Sequence, residues 1–203
     1  MRLTDLRIPA RLHLLATLLL ALLAIGLITA QWRLQAASTD AATAQARLAD
    51  LAEAGDDARA AQVRFKVQIQ EWKNTLLRGG KPESFDKYSK AFRKEGEEVQ
   101  AHLRSLRKHS EALKLPTQDV DQAMAGLQEL TSTYLTALKA YDTAHADDSA
   151  HAVDAAVKGK DRAPTQAIDA IVARLHKTLE AESEAAQADL AARTQRGLLW
   201  SMA

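Results

Sequence analysis

From Leu12 to Ala30 the chain reads LHLLATLLLALLAIGLITA, an unbroken apolar run, and from there to Leu190 apolar residues recur at steps of three and four. A run of that length suits a bilayer-crossing helix, which needs about 20 residues, better than the apolar stretch of a signal peptide, which takes roughly 7–15. Ile28 is also a poor residue three places before a cleavage point at Ala30. An uncleaved transmembrane helix over 12–32 is the expectation, with a cleaved signal as its alternative. Either one exports the residues after Trp32. Arg2, Arg7 and Arg11 precede the run and place residues 1–11 in the cytoplasm, because basic flanks stay inside. At the far end, Arg193 and Arg196 are followed by a second apolar stretch over 197–203. This reads as the start of a second span, or as a frayed carboxyl end. Trp32 and Trp200 stand where interfacial tryptophans stand.

Between these ends the periodicity predicts four helical segments over 33–196. The first runs from Arg33 to Arg78 and stops at Gly79-Gly80. Leu34, Ala37, Ala41, Ala44, Leu48 and Leu51 give it a small-residue seam. Phe65, Ile69, Trp72 and Leu76 then fall on one face, at steps of four, three and four. Gly55 with Asp56-Asp57 is a place to kink or weaken it by about 1 kcal/mol. Pro82 suits the first turn of a second helix, whose inner face carries Phe85, Tyr88, Phe92, Val99, Leu103, Leu106 and Leu113. Pro116 ends that helix and Thr117 is a candidate N-cap for the third. In the third, Val120, Met124, Leu127, Tyr134, Leu138 and Tyr141 keep a heptad spacing, and the helix is expected to persist through His145 to Val157. Gly159 breaks it, and Asp161 or a neighbour caps the last helix. Ile168, Ile171, Val172, Leu175, Leu179 and Leu190 form its seam. Short loops between long amphipathic helices imply antiparallel neighbours. The expected fold is all-α: a transmembrane helix continuing into an antiparallel up-down-up-down four-helix bundle.

Composition agrees with that class and removes others. Hydrophobic residues make up 47% of the chain but aromatics only 4%, as in helical bundles. Basic and acidic side chains number 27 and 26, so the chain has no basic excess to hold nucleic acid. Cysteine is absent, which excludes disulfides, thiol nucleophiles and zinc–thiolate sites. No nucleophile elbow, phosphate-cradling glycine loop or paired-carboxylate signature occurs, so the reading is not an enzyme, and no cofactor is implied.

The run Phe65-Lys66-Val67-Gln68-Ile69-Gln70-Glu71-Trp72-Lys73-Asn74-Thr75-Leu76-Leu77-Arg78-Gly79 resembles a segment in the sensor regions of methyl-accepting chemotaxis proteins. There it is followed by an aromatic-rich second helix, here Phe85, Tyr88 and Phe92. The 159–165 entry to the fourth helix is similar to the same group. The resemblance implies the sensor region of a chemoreceptor in the inner membrane, with a periplasmic bundle. It also implies a homodimer, a second span, and cytoplasmic signalling partners reached through a region beyond this chain. The same kind of sensor sits on histidine kinases and diguanylate cyclases. A single-span helical adaptor is the rival of another class. The partners expected are a second copy of the chain, membrane lipid, and a small-molecule or protein ligand of unknown identity.

The helix over 64–78 has two chemical faces. Arg64, Val67, Glu71, Asn74 and Arg78 cluster opposite the apolar stripe. Three readings stand for this outer face: solvated surface, dimer seam, or a ligand pocket at the seam in which Arg64 and Arg78 grip a carboxylate. Gln68 and Thr75 flank the apolar face and could serve a site inside the bundle. Trp72, Phe85, Tyr88 and Phe92 are expected together as aromatic core. Glu98, His102 and His109 share a stripe, and Asp142, His145, Asp147, Asp148 and His151 form an acidic cluster. Neither matches a metal-binding motif, and exposed helix polarity accounts for both. His13 lies near the cytoplasmic end of the span and reads as interfacial.

Overall fold

A computed structural model describes residues 8–201, and every regular element among them is helical. Arg2 and Arg7 and the side chains of Arg11, Arg196 and Trp200 lie outside the described residues. The elements are α1 (Ile8–Arg78), α2 (Pro82–Ala112), α3 (Gln118–Ala137), α4 (Ala146–Val157) and α5 (Arg162–Ser201), with short 3₁₀ turns at Leu138–Ala140 and Thr143–His145. The chain divides into two units, Met1–Ala46 and Arg47–Ala203.

In the first unit, every position from Leu12 to Ala36 is exposed. Leu27 is 72% exposed, Trp32 75% and Leu34 73%. The run is long and apolar enough to cross a bilayer. The seam expected at Leu34, Ala41 and Ala44 is not buried; Ala37 is half-buried. Methyl side chains give a helix face little area with which to hold a neighbour.

The second unit has a continuous apolar core. From α1 it takes Leu51, Ala54, Ala58, Ala61, Phe65, Trp72 and Leu76, so the helix keeps one inward face through Gly55 and does not break there. The alanines let neighbouring backbones approach closely, and the aromatics fill the space further along. α2 adds Phe92, Val99, Leu103 and Leu106; α3 adds Val120, Leu127, Leu130 and Tyr134; α5 adds Ile168, Ile171 and Leu175. α3 packs against both α2 and α5. Leu190, expected in the α5 seam, is 65% exposed.

Helix ends follow local chemistry. Pro82 occupies the first turn of α2 behind an extended Lys81, where its missing N–H leaves no partner wanting. α2 closes with Lys114 in the left-handed region (φ 58°), while Leu115 N–H donates to Ser110 O. Thr117 precedes α3 but does not cap it through its side chain; its hydroxyl donates to Asp121 instead. Asp161 opens α5 with its backbone carbonyl, which accepts from Thr165 N–H and Thr165 Oγ1–H.

The third helix does not persist to Val157. It ends at Ala137, tightens into a 3₁₀ turn and stops at an extended Tyr141. Asp142 then fixes the start of the next turn: its carboxylate accepts from Ala144 N–H at 2.8 Å and meets His145 Nδ1 at 2.8 Å. A short acidic side chain that bonds the backbone two residues on offers an alternative to the helix ladder. The His145 bond, then the Ala144 N–H, hold the Asp142 carboxyl below its ordinary range.

Candidate functional site

Arg64, Val67, Glu71, Asn74 and Arg78 keep to one face of α1, but α2 partly covers it: Arg64 and Arg78 are exposed, the other three are half-buried, and Gln68 lies apart from them in the core. Arg64 pairs across to Glu95 of α2 at 3.3 Å. Asn74 donates to Glu71 one turn earlier at 3.3 Å, and both are half-buried. Arg78 lies 6.0 Å from the centre of the Tyr88 ring, and the Tyr88 hydroxyl, followed by Glu71, raises its pKa. Both arginines proposed for gripping a carboxylate therefore already have neighbours on α2. On the neighbouring outward flank of α1, Val63 is 56% exposed and Leu77 81% exposed.

Gln68 is in a different environment. It is fully buried, and its Nε2 donates to Thr131 Oγ1 of α3 at 3.1 Å, while its Oε1 has no partner. A carbonyl buried without a donor costs about 1–3 kcal/mol. Gly96 of α2 makes room for it, because a Cβ there would lie 2.5 Å from Gln68 Nε2. Thr75 is buried as well, and its hydroxyl donates to Glu71 O one turn back. Replacing Gln68 by leucine should therefore leave stability unchanged or raise it by up to about 1 kcal/mol, since the lost bond to Thr131 is offset by removing the unmatched carbonyl. Urea denaturation checks this, and a loss above about 2 kcal/mol would contradict it.

The aromatic core has a membership that differs from expectation. Trp72 packs on Phe92 and on Tyr134, with ring centres 5.8 Å and 4.4 Å away. Phe85 is not in this group; it stacks on Tyr141 at 4.9 Å, and the Tyr141 hydroxyl donates to Leu76 O. Tyr88 sits outward under Arg78 and Lys87. The reason is register: Phe85 and Tyr88 lie beside the 79–81 turn, above the level of the Trp72 ring.

Burial pushes the Tyr134 phenol up to about 12, with smaller contributions from Asp161 and Asp154. The folded chain thus holds a proton that the unfolded chain, with its phenol near 10, releases. This contribution to stability is complete below pH 10 and is lost as pH rises to about 12. Ultraviolet titration should show a late-ionising tyrosine whose transition moves down when the protein is unfolded in urea.

Asp57, read in the sequence only as a weak point in the helix, is a cross-helix hub. His102 Nδ1 lies 3.0 Å from its Oδ1, and His109 Nε2 lies 3.7 Å from its Oδ2. His109 also approaches Glu53 at 3.9 Å. Neither histidine is solvated helix polarity alone, as the sequence suggested, because each ties α2 to α1. Among the described residues, no group of three or more potential ligands has a geometry that could hold a metal ion. Glu98 does not share in these contacts, and His151 is exposed. Nothing in the sequence marked Asp57, since its partners are more than forty residues away.

At the other end of this unit, Arg47 grips Glu182 of α5 with two bonds, of 2.7 and 2.8 Å, and donates a third to Leu113 O. Arg174 pairs with Asp119, and Gln62 with Asp169. These polar clamps surround the apolar core.

Comparison with protein-family models, with curated proteins and with solved structures finds no match for this chain.

Proposed function

We propose that this chain is the membrane-anchored sensor region of a transmembrane receptor, of the methyl-accepting chemotaxis type. The observation that carries the reading is the contrast within α1. Its 12–30 stretch is apolar and exposed throughout, whereas its 51–76 stretch buries an apolar face in a packed helical core. Apolar surface of that extent is costly in water and is at home in lipid. The arginine flank orients the span with residues 1–11 in the cytoplasm and the helical unit in the periplasm.

An up-down-up-down four-helix bundle belongs to the same proposal, and the order of the contacts supports it. Rising along α1, Asp57, Arg64 and Trp72 meet His102, Glu95 and Phe92 in falling order along α2. Against α3 both series rise, from Gln68 with Thr131 to Trp72 with Tyr134. Against α5 they run opposite again, from Arg47 with Glu182 to Gln62 with Asp169. The last helix then returns toward the membrane and carries the signal. Any ligand acts only through its unequal affinity for two arrangements of these helices. A second copy of the chain would meet the first along the outer face of α1, where Val63 and Leu77 are exposed.

Translating the gene past the Ala203 codon tests the proposal. An in-frame second span followed by long heptad helices is the expected result. A stop codon directly after Ala203 would overturn the receptor reading in favour of an anchored helical adaptor.

A further inference from the structure

The backbone sets α4 apart from the helices on either side of it. Before it, Tyr141 (ψ 123°) and Asp142 (ψ 114°) are extended, and His145 leaves helical geometry (φ −125°, ψ 52°). After it, Lys158 has ψ 120° and Gly159 has φ 76°, a conformation that glycine adopts without strain. No helix ladder runs from α3 into α4 or from α4 into α5. The hold of α4 on the rest of the unit is also slight. Of its 12 residues only Val153 and Val157 are buried, each 1% exposed. Valine carries less apolar area than the leucines and aromatics that α2 and α3 bury, so burial holds α4 more weakly than those helices. Among the described residues, no side chain of α4 makes a hydrogen bond or ion pair with another helix; Ser149 bonds only to Asp142 and Ala146. Helices shorter than about 12–15 residues are marginal on their own.

What lies beneath α4 is the aromatic part of the core. The helix packs on α3 and on the 138–140 turn. Asp154 on α4 and Asp161 after it are close enough to Tyr134 to add to the rise of its phenol. Tyr134 in turn lies 4.4 Å from Trp72 and 5.9 Å from Phe92. One end of the segment is latched to the α1–α2 turn. The Tyr141 ring stacks on Phe85 and its hydroxyl donates to Leu76 O. Ala146 touches the same turn, where a Cβ on Gly80 would lie 3.4 Å from the Ala146 Cβ.

We infer that residues 142–161 form a flap over the Tyr134 side of α3, which opens at Asp142 and Gly159 while α1, α2, α3 and α5 stay packed. Opening bares the face of α3 that carries Tyr134, next to Trp72, together with Leu138. A segment of this kind opens at a lower free energy than the whole unit unfolds, and amide exchange reports the difference. The flap goes beyond the receptor reading and stands without it.

Hydrogen exchange of the detergent-solubilised full chain, followed by mass spectrometry, tests the flap. Amides of 146–157 should exchange about a hundredfold or more faster than those of 96–106 on α2. Val153→Ala should speed exchange over 146–157 about tenfold and leave 96–106 unchanged. A second variant pins the flap instead. The chain has no cysteine to interfere, and Gly80→Cys with Ala146→Cys places two Cβ atoms close to disulfide separation. The oxidised pair should slow exchange over 146–157 about tenfold or more, and reduction should restore it. Equal protection of 146–157 and 96–106 in the parent would overturn the inference. Equal acceleration of both segments by Val153→Ala would do so too, because α4 would then open only with the whole unit. A disulfide that forms yet leaves exchange over 146–157 unchanged would also count against it.

Discussion

Replacing Trp72 by alanine should destabilise the 47–203 unit by about 3–5 kcal/mol, the range for deleting a large buried aromatic. The ring is only 2% exposed and joins three helices, since Phe92 belongs to α2 and Tyr134 to α3. Two effects add. The apolar area of the indole returns to water, and the tilted ring pairs, worth about 0.5–1.5 kcal/mol each beyond their burial, are lost. Close-packed neighbours on two other helices cannot all move in to fill the cavity. A domain of ordinary stability, about 5–15 kcal/mol, would lose a large share of it. Denaturant midpoints measured by circular dichroism check the value. Lys73→Ala, the next residue along but exposed, should fall within about 0.5 kcal/mol of the parent. Equal effects of the two substitutions would mean that the Trp72 ring is not an organising element of the core.

The second large effect concerns the anchor. Substituting Leu20 and Leu23 together by aspartate should release the chain from membranes. Both side chains are exposed, at 65% and 57%, and both lie in the middle of the 12–30 run. A charged residue at the centre of a membrane helix costs about 2.5–3.5 kcal/mol on the insertion scale, so the pair costs roughly 5–7. The parent should remain in the pellet after alkaline extraction and the double variant should move to the supernatant or be lost to proteolysis. If the variant stays in the pellet in the same proportion, the run is not what holds the chain to the membrane.

Much of the helical unit was legible in the sequence, and the hidden remainder has a physical pattern. Helix identity depends on spacing along one chain, so Phe65, Trp72 and Leu76 on α1, or Ile168, Ile171 and Leu175 on α5, could be assigned inward from periodicity alone. Boundaries at Gly79-Gly80, Pro82 and Pro116 came from backbone chemistry for the same reason. Contacts between helices depend on register, which no single-helix pattern carries. Trp72 was thus given Phe85 and Tyr88 as companions, whereas Tyr134, more than sixty residues away, is the closer one. Asp57 gained two histidines by the same route. The break after Ala137 was masked because Leu138 and Tyr141 continue the heptad spacing through it, while the Asp142 side chain caps a new turn beyond. Of the site residues, Gln68 was visible as a polar group at the edge of an apolar stripe. Its orphaned carbonyl was not, since that depends on what α2 and α3 fail to offer.

The central claim is that the helical unit lies across a membrane from the amino terminus, and the chain is suited to a direct test because it contains no cysteine. Single cysteines placed at Thr4 and at Ala152, the latter exposed on α4, can be probed in intact cells with a membrane-impermeant maleimide against an unreactive parent. The account predicts that Ala152→Cys is labelled in intact cells and Thr4→Cys only after lysis. Labelling of Ala152→Cys only after lysis would contradict it.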